Sequence, residues 1–260
     1  MHLPRIILCM KWGTLYSSNY VNVLFQACRR HITGDFRFVC LSDDQEGINP
    51  EVEVYPIPEI GLDDWHYYNG AWPKLILFKT DLYNLQGRCL FIDLDTFIWG
   101  NLDRFFDLPG GLIGIDTGEN WYPGTINSNH SRLLGTGIFA FTLGDQPQIL
   151  DLFLTDKNQI ARKYKLEQVW VQATAKDIVY WPVDWVISFK RWLRRPIGLD
   201  FFFQPHEPPK QTSVVAFHGV PRPIDIIRLD AGFWDRFPHL GHGNVRWATQ
   251  YWIENGGKVD

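Results

Sequence analysis

The chain has 260 residues, enough for one large α/β domain whose core needs neither disulfides nor a structural metal. A net charge of −4, from 25 Lys+Arg against 29 Asp+Glu, argues against a protein that holds nucleic acid by electrostatics. With 45% hydrophobic residues the chain is also not of the disordered class. It carries 12 Trp, 10 Tyr and 18 Phe, more ring surface than a core of this size needs. Part of that surface is expected to line a groove for flat apolar faces, which both sugars and nucleobases present.

The apolar run at 5–10 reads as a first core strand. It is too short for a signal peptide, and no stretch approaches the roughly 18 apolar residues of a membrane span. Ser17 and Ser18 offer N-caps to a helix with Val21, Leu24, Phe25 and Cys28 at helical spacing. Strands follow at 36–41, ending in Ser42-Asp43-Asp44, and at 52–57, closed by Pro56 and Pro58. Residues 63–68, Asp-Asp-Trp-His-Tyr-Tyr, read either as a flap over a ligand or as an aromatic loop packed on the sheet. Pro73 in its first turn starts a helix over 72–85. The run at 89–92 is another buried strand. This β-α-β order predicts a mostly parallel, doubly wound sheet flanked by helices.

Further strands are expected at 111–115, 137–141, 178–181 and 214–217, and helices from 148 towards Lys165 and over 169–175. The stretch 188–210 mixes Lys190, Arg191, Arg194 and Arg195 with Trp192, Phe201, Phe202 and Phe203, and a segment of that kind is usually functional. Its basic part, 191–195, reads as a solvated face or as a contact for a phosphorylated or lipid-linked acceptor or an anionic membrane surface. No linker-like shift in composition divides the chain, so a single domain over 1–260 is expected. Cys9, Cys28, Cys40 and Cys89 form no C-x-x-C pair, and buried thiols of a cytoplasmic protein are the expectation.

The sharpest chemical signal is Asp93-Leu94-Asp95 after the strand 89–92. Residues i and i+2 of an extended segment point to one side, so both carboxylates converge at the C-terminal edge of the sheet, where open α/β sheets bind ligands. Two bare carboxylates there repel unless a divalent cation sits between them. A second element, Phe217-His218-Gly219-Val220-Pro221-Arg222-Pro223, sets one imidazole just past a strand. An N/O donor set of this kind suits Mn²⁺ more than Ca²⁺. Arg222 can meet a phosphate with a forked contact.

Together these elements resemble the GT-A-fold nucleotide-sugar glycosyltransferases, most closely their family 8 branch, over nearly the whole chain. Residues 9–16, Cys-Met-Lys-Trp-Gly-Thr-Leu-Tyr, look like the family's first strand and nucleotide-binding loop, which implies Lys11, Gly13 and Tyr16 as binding residues. Leu41-Ser42-Asp43-Asp44 resembles the strand end that contacts the base. Trp72-Pro73-Lys74-Leu75 resembles the helix before the D-x-D, with Lys74 where an Arg is commoner. Asp93 and Asp95 match the metal-binding D-x-D, with His218 as the implied third ligand, and Gly219 and Arg222 belong to a shortened His…Gly…Lys-Pro element.

Glu167-Gln168 resembles a later Asp-Gln pair near the donor sugar. The family's Asn-Ser-Gly stretch has two candidates, Leu134-Gly135-Thr136-Gly137 and Ile126-Asn127-Ser128. The resemblance implies a GT-A, Rossmann-like domain with a nucleotide-binding half over 1–100 and a donor-sugar and acceptor half over 101–260. It further implies Mn²⁺ or Mg²⁺, a UDP-sugar donor, a carbohydrate or glycolipid-type acceptor, retention at the anomeric carbon, and Glu167, Gln168 and Lys74 in catalysis. Two other activities remain open from the sequence: a metal-dependent nucleotidyltransferase and a silent carbohydrate-binding relative.

Overall fold

A computed structural model describes residues 4–119, 121–122, 131–235 and 237–259. The chain runs β1 (Arg5–Lys11), α1 (Ser18–His31), β2 (Phe36–Ser42), β3 (Glu53–Tyr55) and α2 (Asp64–Tyr68). A 3-10 helix, Trp72–Phe78, leads to β4 (Arg88–Ile92), β5 (Thr96–Ile98), α3 (Arg104–Asp107), β6 (Leu112–Asp116) and β7 (Leu134–Thr142). Then come α4 (Gln148–Thr155), α5 (Lys157–Tyr164), α6 (Glu167–Thr174), β8 (Ile178–Tyr180) and β9 (Val186–Ser188). A π-helical turn, Phe189–Leu193, and a 3-10 turn, Leu199–Phe201, precede β10 (Val214–Ala216), α7 (Pro223–Ile227) and α8 (Arg246–Glu254).

The central sheet has seven strands in the order β3-β2-β1-β4-β7-β6-β8. β7 alone runs antiparallel to its neighbours β4 and β6; the other pairings are parallel. The mostly parallel sheet flanked by helices is therefore as expected. Both faces of β1 are covered: Ile7 and Cys9 join the core under α1, whereas Ile6, Leu8 and Met10 pack on the side of the 3-10 helix and α4–α6. This two-sided burial is why its sequence is a continuous apolar run. A second sheet, β5-β10-β9, extends the first core. All four cysteines are buried free thiols, as expected.

Three local expectations are corrected. The segment 72–85 is a 3-10 helix only to Phe78: the backbone turns extended at Lys79, and Tyr83 and Asn84 take positive φ, which no right-handed helix can hold. The helix expected to run from 148 to Lys165 breaks at Asp156, whose carboxylate accepts from the Gln159 backbone N–H at 3.0 Å and starts α5 anew. The strands at 96–98 and 186–188 were not anticipated, being only three residues each and set beside β10 by tertiary pairing.

Candidate active site

β1, β2 and β4 are parallel, so Lys11, Ser42 and Ile92 end on one edge of the sheet, and the antiparallel β7 begins there. The residues after each strand therefore meet. They border a cleft of ≈ 470 Å³ lined by Trp12, Gly13, Tyr16, Lys74, Asp93 and Asp95, among others. Tyr67 and Tyr68 of α2 line it too, while His66 of the same helix is buried, its Nδ1 2.6 Å from Asp63 and its ring against Phe153. The 63–68 segment thus packs on the core and borders the cleft at once.

The loop after β1 is held by Asp43. Its Oδ2 accepts from the Gly13 N–H at 2.7 Å, and its Oδ1 lies 3.9 Å from Lys11 Nζ. Gly13 has φ +60 with open space where a Cβ would stand, so the backbone conformation rather than crowding calls for glycine. The Tyr16 hydroxyl donates to Asp95 Oδ2 at 3.0 Å, and burial together with the Asp95 charge pushes the phenol well up.

Lys74 is buried under the cleft. Its Nζ donates to Asp93 Oδ2 at 2.6 Å and to the Thr136 carbonyl at 3.3 Å, and stands 3.8 Å from Glu167 Oε1. Burial acts to lower the Lys74 pKa, but Asp93 and Glu167 outweigh it and the net direction is upward. The Asp93 N–H donates to the Gly137 carbonyl at 2.8 Å. Glu167 opens α6 and accepts from the Thr136 hydroxyl; burial raises its pKa and that of Asp93. Asp95 is pushed up to about 7 by burial and by the neighbouring Asp93 charge. Gln168, beside Glu167, is half-buried, and its backbone N–H bonds to the Glu167 carboxylate.

The second motif arrives by β-pairing. Ala216 of β10 faces Thr96 of β5, and the Phe217 N–H donates to the Asp95 carbonyl at 3.2 Å. His218 follows directly, but its Nε2 is 2.7 Å from Ser188 Oγ and its ring lies 5.2 Å from that of Trp121. Burial, with Lys190 and Arg191 nearby, lowers its pKa to about 4, so the imidazole is neutral at ordinary pH. Among the described residues, no group of three His, Cys, Asp or Glu side chains is arranged around a metal position. Asp93 and Asp95 are together, and His218 is not gathered with them. Gly219 has φ +69, and a Cβ there would stand 3.5 Å from Lys190 Nζ. Arg222 caps α7, and its charge reaches Tyr16 and Tyr20.

Of the two Asn-Ser-Gly candidates, 134–137 starts β7 at the site, supplying the Thr136 hydroxyl and the Gly137 carbonyl; Ile126, Asn127 and Ser128 lie outside the described residues. Lys190, read in the sequence only as part of the basic stretch 188–210, lies near enough to His218 to lower its pKa, and a lysine inside a basic run carries no mark of what it faces. The basic run itself is corrected. The Arg194 side chain is 7% exposed and pairs with Asp200 at 2.8 Å and with Asp235, Arg191 donates to the Thr117 and Gly118 carbonyls, and Arg195 to that of Gln204. These guanidinium groups hold the fold together instead of forming a solvated or membrane-facing stripe.

A mostly parallel sheet with paired acids at its C-terminal edge is the architecture of the GT-A fold, and solved structures of glycosyltransferases share that fold. An active-site Gln-to-Glu mutant of LgtC aligns at TM-score 0.59 and 12% identity over 97% of this chain and 95% of that one. The galactosyltransferase LgtC in complex with donor and acceptor sugar analogs aligns at 0.55 and 12%, over 98% and 96%. GlyE of Streptococcus pneumoniae aligns at 0.54 and 12%, over 96% of this chain and 60% of that one. No family model matches the chain, and no curated protein does.

Proposed function

We propose that the protein is a divalent-metal-dependent glycosyltransferase. It moves a sugar from a nucleoside-diphosphate sugar, a UDP-sugar foremost, to a carbohydrate or glycolipid-type acceptor, with retention at the anomeric carbon. The whole of 1–260 acts as one domain, its first hundred residues holding the nucleotide. The observation that carries this reading is a charge imbalance at the cleft: three carboxylates, those of Asp93, Asp95 and Glu167, act on the one ammonium of Lys74 among the described residues. A divalent cation relieves such an excess, and hard carboxylate oxygens suit Mn²⁺ or Mg²⁺. The shared fold with LgtC, whose complex holds donor and acceptor sugar analogs, supports the substrate class.

Asp93 and Asp95 would hold the cation, with His218, neutral at ordinary pH and now paired with Ser188 through Nε2, as the third ligand. When bound, the cation acts as a Lewis acid that offsets charge developing on the leaving diphosphate. Lys11, Gly13 and Asp43 shape the nucleotide loop, and Tyr16 orients Asp95. Gly219 and Arg222 meet the diphosphate, with Lys74 adding fixed positive charge. Glu167 and Gln168 face the sugar. The test is incubation with Mn²⁺ and a panel of nucleotide sugars, reading nucleoside diphosphate release and sugar transfer. Release that needs Mn²⁺ is expected. Pyrophosphate release would make the protein a nucleotidyltransferase, and binding without release a silent relative.

A further inference from the structure

Three consecutive residues entering the π-helical turn meet three consecutive residues after β10. Ser188 Oγ is 2.7 Å from His218 Nε2, the Phe189 ring stacks on that of Phe217 at 4.9 Å, and Lys190 reaches Gly219. A Cβ at Gly219 would stand 3.5 Å from Lys190 Nζ, so the ammonium lies along the bare backbone of that glycine. The parallel pairing of β9 with β10, which sets Ser188 beside Ala216, fixes these contacts. Ser188 also caps the turn, accepting from the Arg191 N–H at 3.2 Å. The neighbouring guanidinium groups are engaged, Arg191 by the Thr117 and Gly118 carbonyls and Arg194 by Asp200 and Asp235. Lys190 differs from them. It is half-buried, yet among the described residues no carboxylate stands within ion-pair distance of its Nζ.

We infer that Lys190 is a further diphosphate-binding residue of the candidate active site, supplied by the π-helical turn and outside every motif of the glycosyltransferase resemblance. The inference rests on the reading proposed above, in which Gly219 and Arg222 meet the diphosphate. The Phe217 N–H donates to the Asp95 carbonyl, so the loop that Lys190 touches is tied to the second acid of the D-x-D. Arg222, three residues beyond Gly219, acts on Tyr16, whose hydroxyl bonds Asp95. Two cations thus approach one short loop from different elements. A half-buried ammonium without a counter-charge is unfavourable, and an anionic ligand at Gly219 removes that cost through a charge-assisted hydrogen bond. A nucleoside diphosphate keeps negative charge beyond what one divalent cation offsets, and a fixed ammonium also suits the charge that grows as the diphosphate leaves. The absence of a side chain at Gly219 lets a phosphate oxygen come close to backbone and ammonium together.

The test is calorimetric binding of UDP, GDP, ADP and CDP to the full chain, with Mn²⁺ and without divalent cation, and of the matching nucleosides as controls. Lys190→Met keeps the length of the side chain and breaks no described ion pair, so its melting temperature is expected to match the parent. It is expected to weaken binding of the preferred nucleoside diphosphate by about 10-fold or more, the range of one charged hydrogen bond, and of the nucleoside by less than about 3-fold. Lys190→Arg, which keeps the charge, is expected to restore most of the loss. A merely structural lysine predicts a lower melting temperature and equal losses for diphosphate and nucleoside, and that result overturns the inference. Undiminished diphosphate binding by Lys190→Met overturns it too, while leaving the proposed transfer reaction standing. Failure of the unmodified protein to bind any of the four diphosphates overturns both.

Discussion

Lys74 Nζ lies 2.6 Å from Asp93 Oδ2, so that one buried ammonium ties the D-x-D strand end to the 3-10 helix beneath it. The same nitrogen stands 3.8 Å from Glu167, which brings the first turn of α6 into the cluster. Paired this way, Asp93 is held towards Lys74 on one of its two oxygens.

Replacing Lys74 with Met keeps length but removes the charge, leaving the buried Glu167 and the partly buried Asp93 without their counter-charge. A loss of about 3–5 kcal/mol is expected from urea unfolding near neutral pH, the range for breaking a buried pair from one side. The loss should shrink in acid as the stranded carboxylates protonate. A loss under about 1 kcal/mol at neutral pH would show that Lys74 is not the counter-charge.

Asp95 carries a pH signature. Its folded pKa, about 7, lies above the unfolded value, so its contribution to stability is complete below the ordinary carboxylate range and is lost as pH rises through about 7. Asp95→Asn removes that loss. In metal-free buffer the variant should gain thermal stability relative to the parent as pH goes from 5 to 8, while Mn²⁺-dependent turnover disappears. Parallel melting curves across pH would place Asp95 in an ordinary solvated setting.

His218→Ala is expected to raise the Mn²⁺ concentration for half-maximal turnover by roughly 10-fold or more, as for lost metal-site contacts. Ser188→Ala removes the competing partner of Nε2 and should leave that concentration unchanged or lower it. Because the folded pKa is near 4, protonation of His218 should not limit activity until well below pH 6. If His218→Ala instead leaves the Mn²⁺ requirement alone and lowers the metal-free melting temperature by several degrees, the imidazole is only a partner for Ser188.

Arg194→Ala removes the ion pairs to the buried Asp200 and to Asp235. A loss of about 3 kcal/mol or more in urea unfolding is expected. Arg195→Ala, which removes a partly exposed bond to a backbone carbonyl, should cost under about 1 kcal/mol. Equal losses at the two positions would refute the clamp.

Several things were legible in the sequence because they depend on near neighbours. The continuous apolar runs at β1, β2 and β4 follow from burial on both faces, and they predicted the parallel half of the sheet. The i, i+2 spacing of Asp93 and Asp95 follows from strand geometry alone, and it placed both acids at the ligand edge. Tertiary structure decided which group each charge meets. Asp93 finds Lys74 from 19 residues away, Ser188 takes the ring of His218 from 30, and Arg194 turns inward because Asp235 reaches it from 41. Side-chain direction at such sites is set by the long-range packing that buries one partner against another, and no local pattern records it. For the same reason, arginines that read as a surface stripe became ties that hold the fold together.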